Sequence, residues 1–299
     1  MHATHRRSAV CFLLSVALAV PLLAQEQPRI EFHATRLADN VYMLSGAGGN
    51  LAVALADDGV LLVDSEYSQL RDQLLAAVKE LSAQPIRMVV NTHWHFDHVG
   101  NNEYLAQHGA RIVAHANVRQ RMSSEQVLRN LDRRVPPSPA AALPTLTFTD
   151  ALTVYHGGEE IRVLHLAPAH TDGDSIVQFK QANVLHAGDV FFNQCYPFID
   201  LNAGGSIDGM IRALDQIAKL ADDQTRIIPG HGPLATLADL RTFRDMLATI
   251  RDRVQKLLDA GKTRDEIIAA KPTKDFDAKN EGGFDPDAFV GIVVDSLKR

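Results

Sequence analysis

Residues 92–101 read Thr92-His93-Trp94-His95-Phe96-Asp97-His98-Val99-Gly100-Asn101, directly after Arg87-Met88-Val89-Val90-Asn91, a run with the composition of a strand. Three histidines and one aspartate fall within six residues. In extended backbone, residues two apart point the same way, so His93, His95 and Asp97 share one side. His98 breaks the alternation, and the chain must turn there. Two imidazoles on one side suit one metal ion; Asp97 and His98, just past the turn, suit a second close by. Zinc takes imidazole and carboxylate ligands at about 2.0–2.2 Å, and a hydrolytic site keeps one position open for water. Further ligands must therefore come from elsewhere in the chain.

Three later loops offer them. His170 lies in Ala169-His-Thr-Asp-Gly-Asp-Ser175, Asp189 in Ala187-Gly-Asp-Val190, and His231 in Ile228-Pro-Gly-His-Gly232. Each has Gly or Pro nearby, where backbone turns tightly enough to bring a side chain to a shared centre. Strands are predicted at 41–45, 51–55, 60–64 and 87–91, then 111–114, 145–149, 152–155, 161–166, 175–180, 183–187 and 226–229. Apolar residues at helical spacing predict helices over 68–81, 101–108, 116–131, 206–220, 237–258, 263–270 and 287–297. Sheets covered by helices on their outer faces follow from that order. Ser206 reads as a helix cap after Gly204-Gly205. His115 and His165 read as core or supporting residues, and Cys195 as a buried free thiol. Trp94 and Phe96 are expected to pack away from the ligands.

On these positions the chain resembles the metallo-β-lactamase-fold hydrolases, which carry H-x-H-x-D-H followed by a distant His, Asp and His. The likeness runs from about Val41 to Leu258. It implies an α/β (α+β) fold, a four-layer αββα sandwich with metals at one edge of two sheets. It implies two Zn²⁺ per chain. His93, His95 and His170 would hold the first, Asp97, His98 and His231 the second, and Asp189 would bridge them. Asp97 would also orient the nucleophile, and Asp64 resembles a supporting aspartate of the family. In such a site a hydroxide between the two ions attacks a carbonyl.

The resemblance points to β-lactamase-type hydrolysis of a cyclic amide, weak or promiscuous. A lactonase or esterase is the alternative, and a mononuclear iron enzyme of the persulfide dioxygenase type a second one. The bridging position is Asp189, where well-known β-lactamases have Cys or Ser. No Lys or Arg occurs from Val190 to Ile211, where a cation often grips the β-lactam carboxylate. Asn193, Tyr196 and Asn202 are the neutral substitutes on offer. Phe191, Phe192, Tyr196 and Phe198 form an apolar cluster beside the site, readable as a substrate wall or as core. Residues 193–210 and the tail after Lys271 resemble a group of exported hydrolases in the family.

The 299 residues are 46% hydrophobic and 22% charged, with a net charge of −6. Those values fit a globular protein, and the acidic balance argues against nucleic acid as a partner. A small-molecule substrate is expected. Arg6 and Arg7 precede the apolar run Ser8–Ala24, which reads as a secretory signal over residues 1–24. Residues 25–299 would then be a single domain with a helical extension from about 260, periplasmic or secreted, not held at a membrane after cleavage. Cleavage would remove Cys11 and leave Cys195, which excludes an internal disulfide.

Overall fold

Every residue of Gly59–Val63 is buried, yet its side chains serve two different layers. Leu61 and Val63 join one apolar cluster while Val60 and Leu62 join another. A strand with both faces covered loses the alternation of exposed and buried residues and becomes apolar throughout. The computed structural model describes residues 30–280 and 282–299. The predicted signal segment, 1–24, lies outside them.

The first sheet starts with β1 (His33–Arg36), β2 (Val41–Ser45), β3 (Leu51–Ala56), β4 (Gly59–Val63), β5 (Ile86–Val90) and β6 (Arg111–His115). A two-stranded hairpin follows, β7 (Gln126–Leu128) and β8 (Arg133–Val135). The chain then returns to the first sheet as β9 (Leu146–Phe148). This sheet has the order β1-β2-β3-β4-β5-β6-β9, antiparallel up to β4 and parallel beyond it. The second sheet contains β10 (Ala151–His156), β11 (Glu159–His165), β12 (Ser175–Phe179) and β13 (Val184–His186). The short β14 (Cys195–Tyr196) stands apart, and β15 (Arg226–Ile228) joins the second sheet parallel to β13. Last, β16 (Gly282–Gly283) pairs in parallel with β14.

Three apolar clusters define four layers. Val41, Leu61, Val113, Val163, Val177 and Ile228 lie in the cluster shared by the two sheets. On the outer face of the first sheet, Leu44, Val53 and Ile112 meet Leu74 and Val78 of α1 (Arg71–Leu81). On the outer face of the second, Ile176 and Leu185 share a cluster with residues of three later helices. The intervening helices are α2 (Phe96–Val99), α3 (Asn102–Gln107) and α4 (Ala116–Met122); those three are α5 (Ile207–Ile217), α6 (Leu237–Asp259) and, after α7 (Arg264–Ala269), α8 (Pro286–Leu297). The result is the αββα sandwich, its inter-sheet core made from the inward residues of both sheets. Among the described residues, no helix is long and apolar enough to cross a membrane.

Strands β1, β14 and β16 have no counterpart in the sequence reading, and two further features depart from it. The helix expected over 116–131 ends at Met122, and the hairpin β7–β8 takes its place. Ser123 Oγ and Ser124 Oγ both donate to Gln120 O, capping the last turn with side-chain bonds. Asp132 then adopts a left-handed φ of 46°, which tightens the turn. The helix expected over 206–220 has its regular part at Ile207–Ile217. Its start is as expected: Ser206 accepts from Gly209 N as a plain N-cap.

Candidate metal centre

The centre is built at the ends of strands, where loops are free to converge. β4 leads into Asp64, whose φ of 65° is a left-handed conformation held by its side-chain bonds. Asp64 Oδ1 accepts from Thr92 N at 2.7 Å, and Oδ2 accepts from Thr92 Oγ1 and His98 Nδ1, both at 2.8 Å. One buried carboxylate thus fixes the entry and the exit of the segment 92–98. Thr92 Oγ1, having given its hydrogen to Asp64, can accept from His93 Nδ1 at 3.0 Å.

Two other imidazoles are held in the same way. His170 Nδ1 donates to Phe198 O at 2.8 Å, and His95 Nε2 to Asp200 Oδ2 at 3.1 Å. Each tie fixes the tautomer and leaves the second ring nitrogen facing the cluster. His93 Nε2 and His170 Nε2 lie 3.1 and 2.8 Å from His95 Nδ1. Asp189, on the loop after β13, stands among all of them. Its Oδ2 is 3.7 Å from His93 Nε2, 3.6 Å from His170 Nε2 and 3.4 Å from His231 Nε2. Its Oδ1 is 3.1 Å from His98 Nε2. Asp97 Oδ2 completes the second half, 3.5 Å from His98 Nε2 and 3.3 Å from His231 Nε2. Two sets of donor atoms therefore could each hold an ion: His93, His95, His170 and Asp189, and Asp97, His98 and His231.

The residues fit a divalent metal on two counts. Two ligands of a tetrahedral zinc at about 2.0–2.1 Å lie about 3.3 Å apart, in the middle of the observed spacings. His98 Nε2 and Asp189 Oδ1 are buried without a hydrogen-bonding partner. A buried polar atom left unpaired is costly, and an ion between these two would satisfy both.

The electrostatics divide the centre in two. Burial, reinforced by neighbouring imidazoles, holds His93 well below the ordinary histidine pKa and lowers His170 to about 4. Burial also opposes charge on His98 and His231, but Asp189 and Asp97 outweigh it. His98 is raised well above the ordinary value and His231 to about 9. Asp189 is held low despite burial by His98, His231 and His93.

Other sequence-predicted residues take different places. Asn193 lines the cavity above the centre, its Nδ2 donating to Pro233 O at 2.9 Å. Tyr196 contributes ring surface, but its hydroxyl bonds Asp277 Oδ1 at 2.8 Å and cannot stand in for a cation. Asn202 lies outside this cavity, beside Arg129 and Asp295, and donates to Val127 O. The aromatic cluster splits between both readings: Phe191 packs on Phe243 in the core, whereas Phe192 and Phe198 line the cavity. Phe96 also lines it, stacked on Tyr67, and does not pack on the opposite face; Trp94 is buried in the core. His115 and His165 stack at 3.7 Å and bond backbone carbonyls. Cys195 is a buried free thiol.

Asp200 is the residue the sequence reading missed. It is 2% exposed, ties His95, and accepts from Asn202 N and Ala203 N. Its only signal was its place two residues after Phe198, which is not a pattern specific to ligand support. Asp200→Ala is expected to lower zinc affinity about 10–100-fold, the usual cost of losing such a partner. Competition with a chromogenic chelator measures it; unchanged affinity would show that His95 needs no tether.

The family model described as the Metallo-beta-lactamase superfamily matches residues 46–231, more than half of the chain. The chain belongs to that superfamily. It is similar to a linear primary-alkylsulfatase of Pseudomonas sp., 23% identical over 71% of this chain and 48% of that protein. It is also similar to the hydroxyacylglutathione hydrolase GloC of Haemophilus influenzae, 26% identical over 56% of this chain and 77% of that protein. Among solved structures, a metallo-beta-lactamase from Pontibacter korlensis superimposes with a TM-score of 0.61 at 18% identity, covering 73% of this chain and 99% of that one. The chain spans about half the length of the alkylsulfatase.

Proposed function

We propose that the protein is a dinuclear zinc hydrolase that opens carbonyl compounds, cyclic amides or esters whose substituents are apolar and uncharged. The observation that carries this reading is the convergence of seven metal-type donors, four of which line a cavity of about 570 Å³ with no Lys or Arg among its described lining residues. His95, Asp97, Asp189 and His231 form its polar end.

Zinc ions bound there would lower the pKa of a water between them and supply hydroxide near neutrality. Asp97, which lines the cavity, would accept a hydrogen bond from that water and orient it. Tethered imidazoles keep the ligand set preorganised, so little reorganisation is needed as charge develops. The apolar walls exclude bulk water and strengthen every interaction within. Overall one water adds across the C–N or C–O bond, its oxygen to the acyl carbon and a proton to the leaving heteroatom. The leader expected at residues 1–24 supports an exported enzyme.

β-Lactams carry a carboxylate, and among the described residues no Lys or Arg lines the cavity, Arg133 being engaged over the Phe96 ring at 3.8 Å. A charge-assisted hydrogen bond contributes roughly 1.5–3 kcal/mol. A chromogenic cephalosporin is therefore expected to turn over about 10–100-fold less efficiently in kcat/KM than a neutral lactone or aryl ester. Asp97→Ala should reduce both by about 10²–10⁴-fold, the range of a positioned acid–base group. Turnover indifferent to Asp97, or a purified protein holding chiefly one iron per chain, would overturn the reading.

A further inference from the structure

Resting on that reading, we infer that the apolar part of the cavity is a slot for the unbranched acyl chain of the substrate, and that Phe284 and Leu131 set the length it accepts. The cavity has two chemically distinct ends. Phe198 stands 5.7 Å from the His95 ring, and Phe284 stacks on Phe198 at 5.2 Å, one ring further from the histidines. Leu128 and Leu131, from the hairpin that replaces the expected helix, add aliphatic wall. A carbonyl held at the polar end directs its acyl substituent along these residues.

Phe284 is brought there by a strap. Gly282–Gly283 pairs in parallel with Cys195–Tyr196, and Phe284 N donates to Tyr196 O at 3.2 Å. Gly283 has a φ of 77°, and a Cβ there would lie 2.6 Å from Tyr196 O. Only glycine allows the strap this close. The strap lies beyond residues 46–231, so this wall belongs to the chain outside the family match. A volume of about 570 Å³ suits a small molecule with one extended apolar arm.

The test uses the zinc-loaded chain and p-nitrophenyl esters from acetate to decanoate. Each buried methylene is expected to raise kcat/KM about fourfold until the slot is full, after which it falls. Phe284→Ala should move the optimum to longer esters and Leu131→Phe to shorter ones. Leu131 is 41% exposed, so its replacement leaves the fold intact should Phe284→Ala not. A second readout needs no turnover: displacement of Nile red from the zinc-free protein by 1-alkanols of increasing length, with and without Phe284→Ala. Esters hydrolysed with no dependence on chain length would overturn the slot and leave the hydrolase reading intact. Stepwise alkanol binding that Phe284→Ala abolishes, without ester turnover, would uphold the slot and overturn the hydrolase reading.

Discussion

Replacing Asp189 by alanine is expected to strip the centre of its metal and reduce kcat/KM by about 10³-fold or more, well beyond the 10–100-fold cost of losing an outer partner. The reason is position. Its two oxygens face His93, His98, His170 and His231 at 3.1–3.7 Å, so it is the one side chain common to both halves. Without it, four imidazoles from three loops face one another with no anion between them. Asp189 also fills its space closely: a Cβ on Gly230 would lie 2.0 Å from its Oδ1. Elemental analysis and circular dichroism of the purified variant separate loss of metal from loss of fold. A folded Asp189→Ala protein that keeps two zinc ions would refute the arrangement.

Zinc binding is expected to fall steeply with acidification below about pH 9, and to fall in one half of the centre before the other. Ligand imidazoles must be neutral. In the metal-free protein, His231 titrates near pH 9 and His98 above the ordinary range, because Asp189 and Asp97 outweigh the cost of burying their charge. Both carry protons at pH 7, and an ion must displace them. The metal-free state thus holds more protons than the loaded one, so affinity rises with pH until those groups lose theirs unaided. One proton displaced gives a tenfold change per pH unit, two a hundredfold. His93 and His170 behave oppositely: burial keeps them neutral well below pH 7, so they bind without that cost. The stoichiometry is therefore expected to pass from two ions to one on acidification, with the remaining ion on His93, His95 and His170. Calorimetry in buffers of different ionisation enthalpy counts the protons released; none released at pH 7 would rule the scheme out.

The seven side chains that the structure brings together could be picked out in the chain by residue type and loop position. His93 and His95, two apart, do serve one set of donors, but the chain turns into α2 at Phe96, earlier than the expected turn at His98, so Asp97 falls with His98 and His231 and not with those two. The sheets were readable because strands covered on both faces must be apolar throughout. What was not readable depends on contacts between distant segments. Leu128 and Leu131 keep helical spacing, yet two serines and a left-handed Asp132 turn them into a hairpin at the cavity. Tyr196 looked free to meet a substrate until Asp277 claimed its hydroxyl. Asp200 supports His95 from across the fold, and no local pattern announces a partner so far along the chain.

The pairing of Gly282–Gly283 with Cys195–Tyr196 has a consequence for the order in which the molecule is made. All seven donors, the last of them His231, leave the ribosome before the strap does. The part of the wall that Phe284 supplies is thereby encoded apart from the donors, whereas Leu128, Leu131 and Phe198 lie among them in the chain. Mutations that remodel the last few dozen codons can retune what enters the cavity and leave the donors untouched, a division of labour through which one hydrolytic centre can be inherited by enzymes of differing appetite.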